Sequence, residues 1–247
     1  DAYTKLDTLF LPRYRLKRPG PGGISFVSQS GAIGSAILDL ATTENYGISK
    51  FVSYGNATTI DESDILEYLA HDKETKVICL YLEAVKDGKK FIETAKRVTR
   101  IKPVIAMKGG LTEEGNKAIL SHTGSLAGTE EVYYGAFKQT GIIIAHSLGE
   151  MFNYAKILEK GIIPKGDRVQ IITNGGGYGI LSTDAVVKNK LKLAELSKDT
   201  IKKLKKVMPE LVIVGNPMDL IGDATTERYQ VAIENCLNDK NIDILLI

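Results

Sequence analysis

The chain's 247 residues correspond to about one and a half to two domains at ~150 residues each. Its 32 Lys and Arg against 30 Asp and Glu leave a net charge of +2, which excludes the strong field of a nucleic-acid or membrane-surface binder. With 43% hydrophobic and 25% charged residues the composition excludes disorder, and no apolar run approaches the ~18 residues of a membrane span.

Cys79 lies inside the apolar run VICLYLE and Cys236 stands far from it. That spacing makes neither a disulfide framework nor a zinc knuckle and fits a reducing, cytoplasmic setting. Three histidines in all argue against a His-rich metal site. Position 1 is Asp, and the last six residues, IDILLI, read as a core strand with nothing after it. The expectation is that the chain is part of something longer.

Short apolar runs alternate with helical periodicity along the chain. Strands are predicted over residues 24–28, 50–54, 77–83, 104–108 and 141–145, and helices over 31–43, 61–70, 88–100, 129–139 and 148–160. Near-continuous Val/Ile/Leu strands between helices imply a parallel sheet covered on both faces. Residues 23–160 therefore read as a flavodoxin-like, doubly wound α/β domain. Around 161–166 a Pro and two Gly suggest a linker, and the pattern restarts. A strand over 169–173, a Gly-rich turn, a helix over 177–189 and a Lys-rich helix over 197–207 follow. A strand over 211–214, a helix over 225–237 and the terminal strand complete most of a second doubly wound domain, 161–247, expected to be cut short.

Residues 24–34 lie over 169–179 without a gap, putting Gly31 on Gly176, Gly34 on Gly179 and Ser28-Gln29 on Thr173-Asn174. This suggests a duplicated unit. In each, a small-residue turn leads from a strand into a helix whose first N–H groups lack intrahelical partners and favour anions. Two such turns could grip one phosphate; the plainer alternative is that glycine simply permits a tight turn.

Several standard motifs fail. Gly175–Gly179 reads GGGYG followed by Ile180, which is no dinucleotide fingerprint. Gly110 to Gly115 has P-loop spacing, but Asn116 stands where Lys is required. Ser28-Gln-Ser30-Gly-Ala32 lacks the flanking glycines of a nucleophile elbow. Eight lysines between Val186 and Lys206 lack interleaved aromatics, so they read as a solvated helix face rather than a nucleic-acid platform.

After the fourth strand, residues 109–128 hold five glycines in twenty residues, and a long, mobile connection is expected. His122 sits in its small-residue part, Ser-His-Thr-Gly-Ser. A neutral imidazole is a competent nucleophile toward phosphoryl or acyl groups, given a partner that fixes its tautomer. Glu83, at the C-terminal end of the third strand, is the candidate partner. That edge is where open α/β sheets bind ligands, and it also carries Ser28-Gln29-Ser30. His71, ending a helix, and His146, ending a strand, read as structural.

Ser28-Gln-Ser-Gly-Ala-Ile-Gly34, Glu83, Ser121-His-Thr-Gly-Ser-Leu-Ala-Gly128, Asn174-Gly-Gly-Gly-Tyr-Gly179 and Gly215-Asn-Pro-Met-Asp-Leu220 together resemble the NDP-forming acyl-CoA synthetases. The nearest branch is the archaeal-type ADP-forming acetyl-CoA synthetases, relatives of succinyl-CoA synthetase. The resemblance implies conversion of acyl-CoA, ADP and phosphate into acid, CoA and ATP through an acyl phosphate. It makes His122 the phosphorylated residue and Glu83 the carboxylate that orients it. It matches Ser28, Gln29, Ser30 and Gly31, and Asn174, Gly175, Gly176 and Gly177, to the two phosphate-holding helix ends. It further implies an ATP-grasp subunit or domain using Mg²⁺, a CoA-binding domain upstream of which residues 1–22 are the exit segment, and an oligomer. Some relatives fused to a protein-lysine acetyltransferase use this part as a non-catalytic ligand sensor. They generally lack the histidine, and His122 favours the ligase.

Overall fold

The first predicted strand folds as β1 (Pro21–Ser28), whose last six residues are all buried. A strand can be buried at consecutive positions only if both faces of its sheet are covered. After it come α1 (Gly31–Thr43), β2 (Ile48–Ser53), α2 (Glu62–His71), β3 (Val77–Leu82) and α3 (Gly88–Val98). Then follow β4 (Val104–Lys108), α4 (Glu130–Thr140), β5 (Ile143–Ile144) and α5 (Leu148–Glu159). The strands pair in parallel in the order β2-β1-β3-β4-β5. This is the flavodoxin-like order, whose direction of winding reverses between β1 and β3.

The computed structural model describes residues 1–247 except 113, 116, 118, 120–127 and 162. It divides into two units, Asp1–Ile162 and Ile163–Ile247.

Alternation along the strands of the first unit feeds two cores. Phe26, Val77, Cys79 and Ile105 face one side with Ile37, Leu38, Met151 and Phe152 of α1 and α5. Val27, Ile78, Leu80, Leu82 and Ala106 face the other with Leu66, Leu69, Phe91 and Phe137 of α2, α3 and α4. Local signals set the helix starts. Asp61 and Asp64 form a reciprocal capping box on α2, and Ser30 caps α1 by accepting from the Ile33 N–H. At the other end of the sheet, a Cβ on Gly47 would lie 2.2 Å from the Pro21 carbonyl oxygen. Glycine is required there because two backbones touch.

The second unit is built on β6 (Arg168–Thr173), followed by α6 (Gly176–Lys188), β7 (Lys192–Leu193), α7 (Lys198–Val207), β8 (Met218–Asp219), α8 (Thr226–Leu237) and β9 (Ile244–Leu246). β6 pairs in parallel with β7, β8 and β9.

One expectation fails here. Residues 211–214 form no strand; Leu211 and Ile213 are 80% and 64% exposed, and Ile213 makes only an isolated antiparallel bridge to Asp219. The strand is instead β8, which begins two residues after Asn216. The Asn216 carboxamide accepts from the Ile171 N–H (3.0 Å) and donates to the Val169 (2.7 Å) and Ala194 (2.9 Å) carbonyls. A side chain thus satisfies the β6 backbone where a neighbouring strand was expected.

Candidate functional site

In the first unit, parallel pairing fixes which residues meet at the sheet edge. Ser28 is level with Ser53 and Tyr81, and Leu82 with Lys108. The Ser28–Gly31 turn, Glu83 and the start of the 109–128 segment therefore emerge together at the β1/β3 switch point, the usual ligand crevice of this architecture.

The turn is shaped by its own hydroxyls. Buried Ser28 donates to the Ser30 carbonyl (2.7 Å) and accepts from the Ser30 N–H (3.2 Å). Beyond it, Gly31 and Ala32 are exposed, and their N–H groups have no partner among the described residues. With the positive end of the α1 dipole behind them, they form an anion-receptive end. Gln29 is differently occupied. Its Oε1 accepts from the Glu83 and Ala84 N–H groups, the latter at 2.9 Å, and its Nε2 donates to the Ala84 carbonyl (2.8 Å).

Glu83 lies one residue past β3 and is half-buried. Its charge is felt by three neighbours. Burial pushes the Tyr81 phenol up to about 12, and Glu83 adds to that rise. Burial pulls the Lys108 ammonium down to about 8, and Glu83 opposes that fall. Burial also raises the Tyr54 phenol, with Glu62 the next cause and Glu83 a smaller one. Lys108, which is 5% exposed, donates to the Gly109 carbonyl and sits 4.6 Å over the Tyr133 ring. The Tyr133 hydroxyl in turn accepts from the Val85 N–H (3.0 Å). One cation and one phenol thus tie the entry to the 109–128 segment, its exit into α4, and the backbone just after Glu83.

His122 lies outside the described residues, so its expected pairing with Glu83 does too. His71 ends α2 and pairs with Glu67 at 3.6 Å, and the His146 ring stands edge-on to Tyr134. Lys108 and Tyr133 did not emerge from the sequence as site residues. The available signal was a lysine closing an otherwise apolar strand, VIAMK.

The second unit repeats the turn. Thr173 accepts from the Gly175 N–H (3.2 Å) and donates to the Gly175 carbonyl (3.4 Å), as Ser28 does with Ser30. The N–H groups of Gly176, Gly177 and Tyr178 open α6 without partners among the described residues. Asn174, at the place of Gln29, is exposed and its side chain makes no hydrogen bond among the described residues. The Asp219 carboxylate stands beside this helix end, 3.4 Å from where a Cβ on Gly176 would lie.

The chain is similar to several known proteins. It is 46% identical over 225 residues to the ADP-forming acetate–CoA ligase II subunit alpha of Pyrococcus furiosus, which covers 91% of this chain and 49% of that one. It is 37% identical over 244 residues to the ADP-forming 4-hydroxybutyrate–CoA ligase of Nitrosopumilus maritimus, covering 98% of this chain and 34% of that one. A solved structure of the dinucleotide-forming acetyl-coenzyme A synthetase 1 of Ca. Korarchaeum cryptofilum, in complex with phosphate and ADP, superposes with a TM-score of 0.84 at 40% identity, covering 91% of this chain and 49% of that one. The chain thus spans from about a third to a half of these relatives. The resemblance drawn from the SQSGA turn, Glu83 and the histidine segment holds for the family. Residues 21–158 match the succinyl-CoA ligase like flavodoxin domain and residues 169–247 the ligase-CoA domain, and the chain belongs to that family.

Proposed function

We propose that the chain is the part of an ADP-forming acyl-CoA ligase that carries the phosphoryl group. The overall reaction takes acyl-CoA, ADP and phosphate to a small carboxylic acid, CoA and ATP. The observation that supports this most is the switch point itself, where an open helix N-terminus and a backbone-clamped carboxylate sit together at the root of the histidine segment.

In the proposed sequence, phosphate seated by the free N–H groups at the start of α1 attacks the thioester carbonyl. The carbon–sulfur bond breaks, CoA leaves as the thiol with the phosphate proton, and an acyl phosphate remains. One imidazole nitrogen of His122 then attacks phosphorus and expels the carboxylate of the acid. Glu83 accepts the N–H of the other ring nitrogen and stabilises the phosphoimidazolium. Transfer to ADP returns neutral His122 and gives ATP. Gly175, Gly176, Gly177 and Asn174 supply the second phosphate-binding turn. Ser28 and Ser30 act by shaping and capping the first.

The nucleotide belongs to an ATP-grasp partner and CoA to an upstream CoA-binding domain, in a cytoplasmic oligomer. Among the described residues no three His, Cys, Asp or Glu side chains gather as a metal group. Mg²⁺ would bind with the nucleotide in that partner, where it would offset phosphate charge.

The test is ATP formation by the full-length protein with its ATP-grasp part, from acetyl-CoA and larger acyl-CoAs, ADP and phosphate. ATP should appear one for one with free CoA thiol and require all three substrates. An assembly that binds acyl-CoA yet releases no thiol contradicts the proposal and points to the sensor role.

A companion prediction separates binding from folding. A Cβ on Gly31 meets nothing within 4 Å, and the residue opens a helix. Gly31→Ala should leave thermal stability unchanged or raised by up to ~1 kcal/mol, while narrowing the approach to the free N–H groups. The KM for phosphate should rise about tenfold, the scale of one charge-assisted hydrogen bond.

A further inference from the structure

Past Leu82 the β3 ladder stops, yet the backbone of Glu83, Ala84 and Val85 has its N–H groups satisfied. The partners are side chains. Tyr133 holds the Val85 N–H, and the single carboxamide of Gln29 holds the rest: Oε1 takes the Glu83 and Ala84 N–H groups and Nε2 donates to the Ala84 carbonyl. The Gln29 main-chain N–H also donates to the Tyr81 carbonyl at 3.2 Å, so the residue follows β3 outward as a strand would. Immediately after it, Ser30 caps α1. Gln29 therefore joins two parts of the site, the anion-receptive helix end and the peptide that carries the Glu83 side chain.

We infer that Gln29 is a positioning residue for Glu83, not a phosphate ligand. The inference rests on the proposed role of Glu83 as the partner of His122. A planar amide suits the task because it presents an acceptor and a donor together, matching the N–H and C=O of one residue, Ala84. Glutamate in its place keeps the acceptor but sets oxygen against the Ala84 carbonyl, and asparagine falls one methylene short. Asparagine leaves the charge around the α1 N–H groups unchanged and lets the Glu83 backbone shift, whereas glutamate also adds a negative charge beside them.

The experiment is a double-mutant cycle in the full-length protein with its ATP-grasp part. Gln29→Glu and Gln29→Asn are made alone and with Glu83→Gln. Readouts are the single-turnover rate of His122 phosphorylation from ATP, the KM for phosphate in the ATP-forming direction, and the thermal midpoint. Each Gln29 variant should slow phosphorylation by ~10²-fold, the effect of a misplacement of about 1 Å, with little change in KM for Gln29→Asn, which adds no charge. In the Glu83→Gln background the same substitutions should add almost nothing, because they act through that carboxylate. A raised KM in Gln29→Asn with an effect that persists without Glu83 would make Gln29 a direct ligand and overturn the inference. A lowered thermal midpoint with an unchanged rate would reduce it to a structural clamp and overturn it equally. If Glu83→Gln alone leaves the rate unchanged, the role of Glu83 itself fails, an outcome separate from both.

Discussion

Glu83→Gln in the full-length protein with its ATP-grasp part is expected to slow phosphoryl transfer to His122 on the order of 10²–10⁴-fold, the range for losing a residue that orients and charges a catalytic imidazole. The physical reason is local. Glutamine preserves shape but offers no full negative charge to the phosphoimidazolium, and it presents a donor as readily as an acceptor, so the ring tautomer is no longer fixed. The fold should not change, because Glu83 is half-buried beyond the end of β3 and its backbone remains held by Gln29. Rapid-quench labelling at saturating ATP measures the rate. A loss smaller than about tenfold would remove Glu83 from the role assigned to it.

Phe26→Ala is expected to have the largest effect on stability, about 3–5 kcal/mol. Phe26 is 1% exposed in β1, the strand flanked by β2 and β3, and its ring centroid lies 5.0 Å from that of Phe152 on α5. Truncation removes the transfer energy of a ring and opens a cavity between sheet and helix that neighbouring side chains fill only in part. Against the 5–15 kcal/mol of an ordinary domain this is a large fraction. Urea unfolding should show a lower midpoint for the first unit. An unchanged midpoint would mean that the α1–α5 core contributes less than its burial implies.

Much of the first unit was legible because its strands are buried on both faces and so leave continuous apolar runs that stand out from the helices between them. Once five such runs were found, the parallel sheet and the position of its ligand edge followed from connectivity. The second unit was harder. Its strands β7 and β8 are two residues each, too short for periodicity to register, and the apolar run over 211–214 has a strand's pattern although the chain forms its strand only after Asn216. The deciding element there is a carboxamide reaching β6 across more than forty residues of sequence, a long-range pairing that local pattern does not encode.

The site divides the same way. Ser28, Gly31 and Glu83 were visible as residue types at the ends of strands, whereas the commitment of Gln29 to the Glu83 peptide and of Lys108 to the Tyr133 ring depends on tertiary contacts. The duplication suggested by laying 24–34 over 169–179 has a structural counterpart. Ser28 and Thr173 make the same pair of hydrogen bonds within their turns. The copies differ at the next residue, where Gln29 is tied to the sheet and Asn174 is exposed.

Carriage of a phosphoryl group on His122 can be read by covalent labelling of the polypeptide. The full-length protein and its ATP-grasp part, wild type and His122→Asn, would be incubated with γ-labelled ATP and Mg²⁺, and the label on the polypeptide tested for stability in acid and base. A base-stable, acid-labile label is expected on the wild type, absent from His122→Asn and discharged by ADP. Label that survives in His122→Asn, or a wild type that takes up none with its partner present and folded, would contradict it.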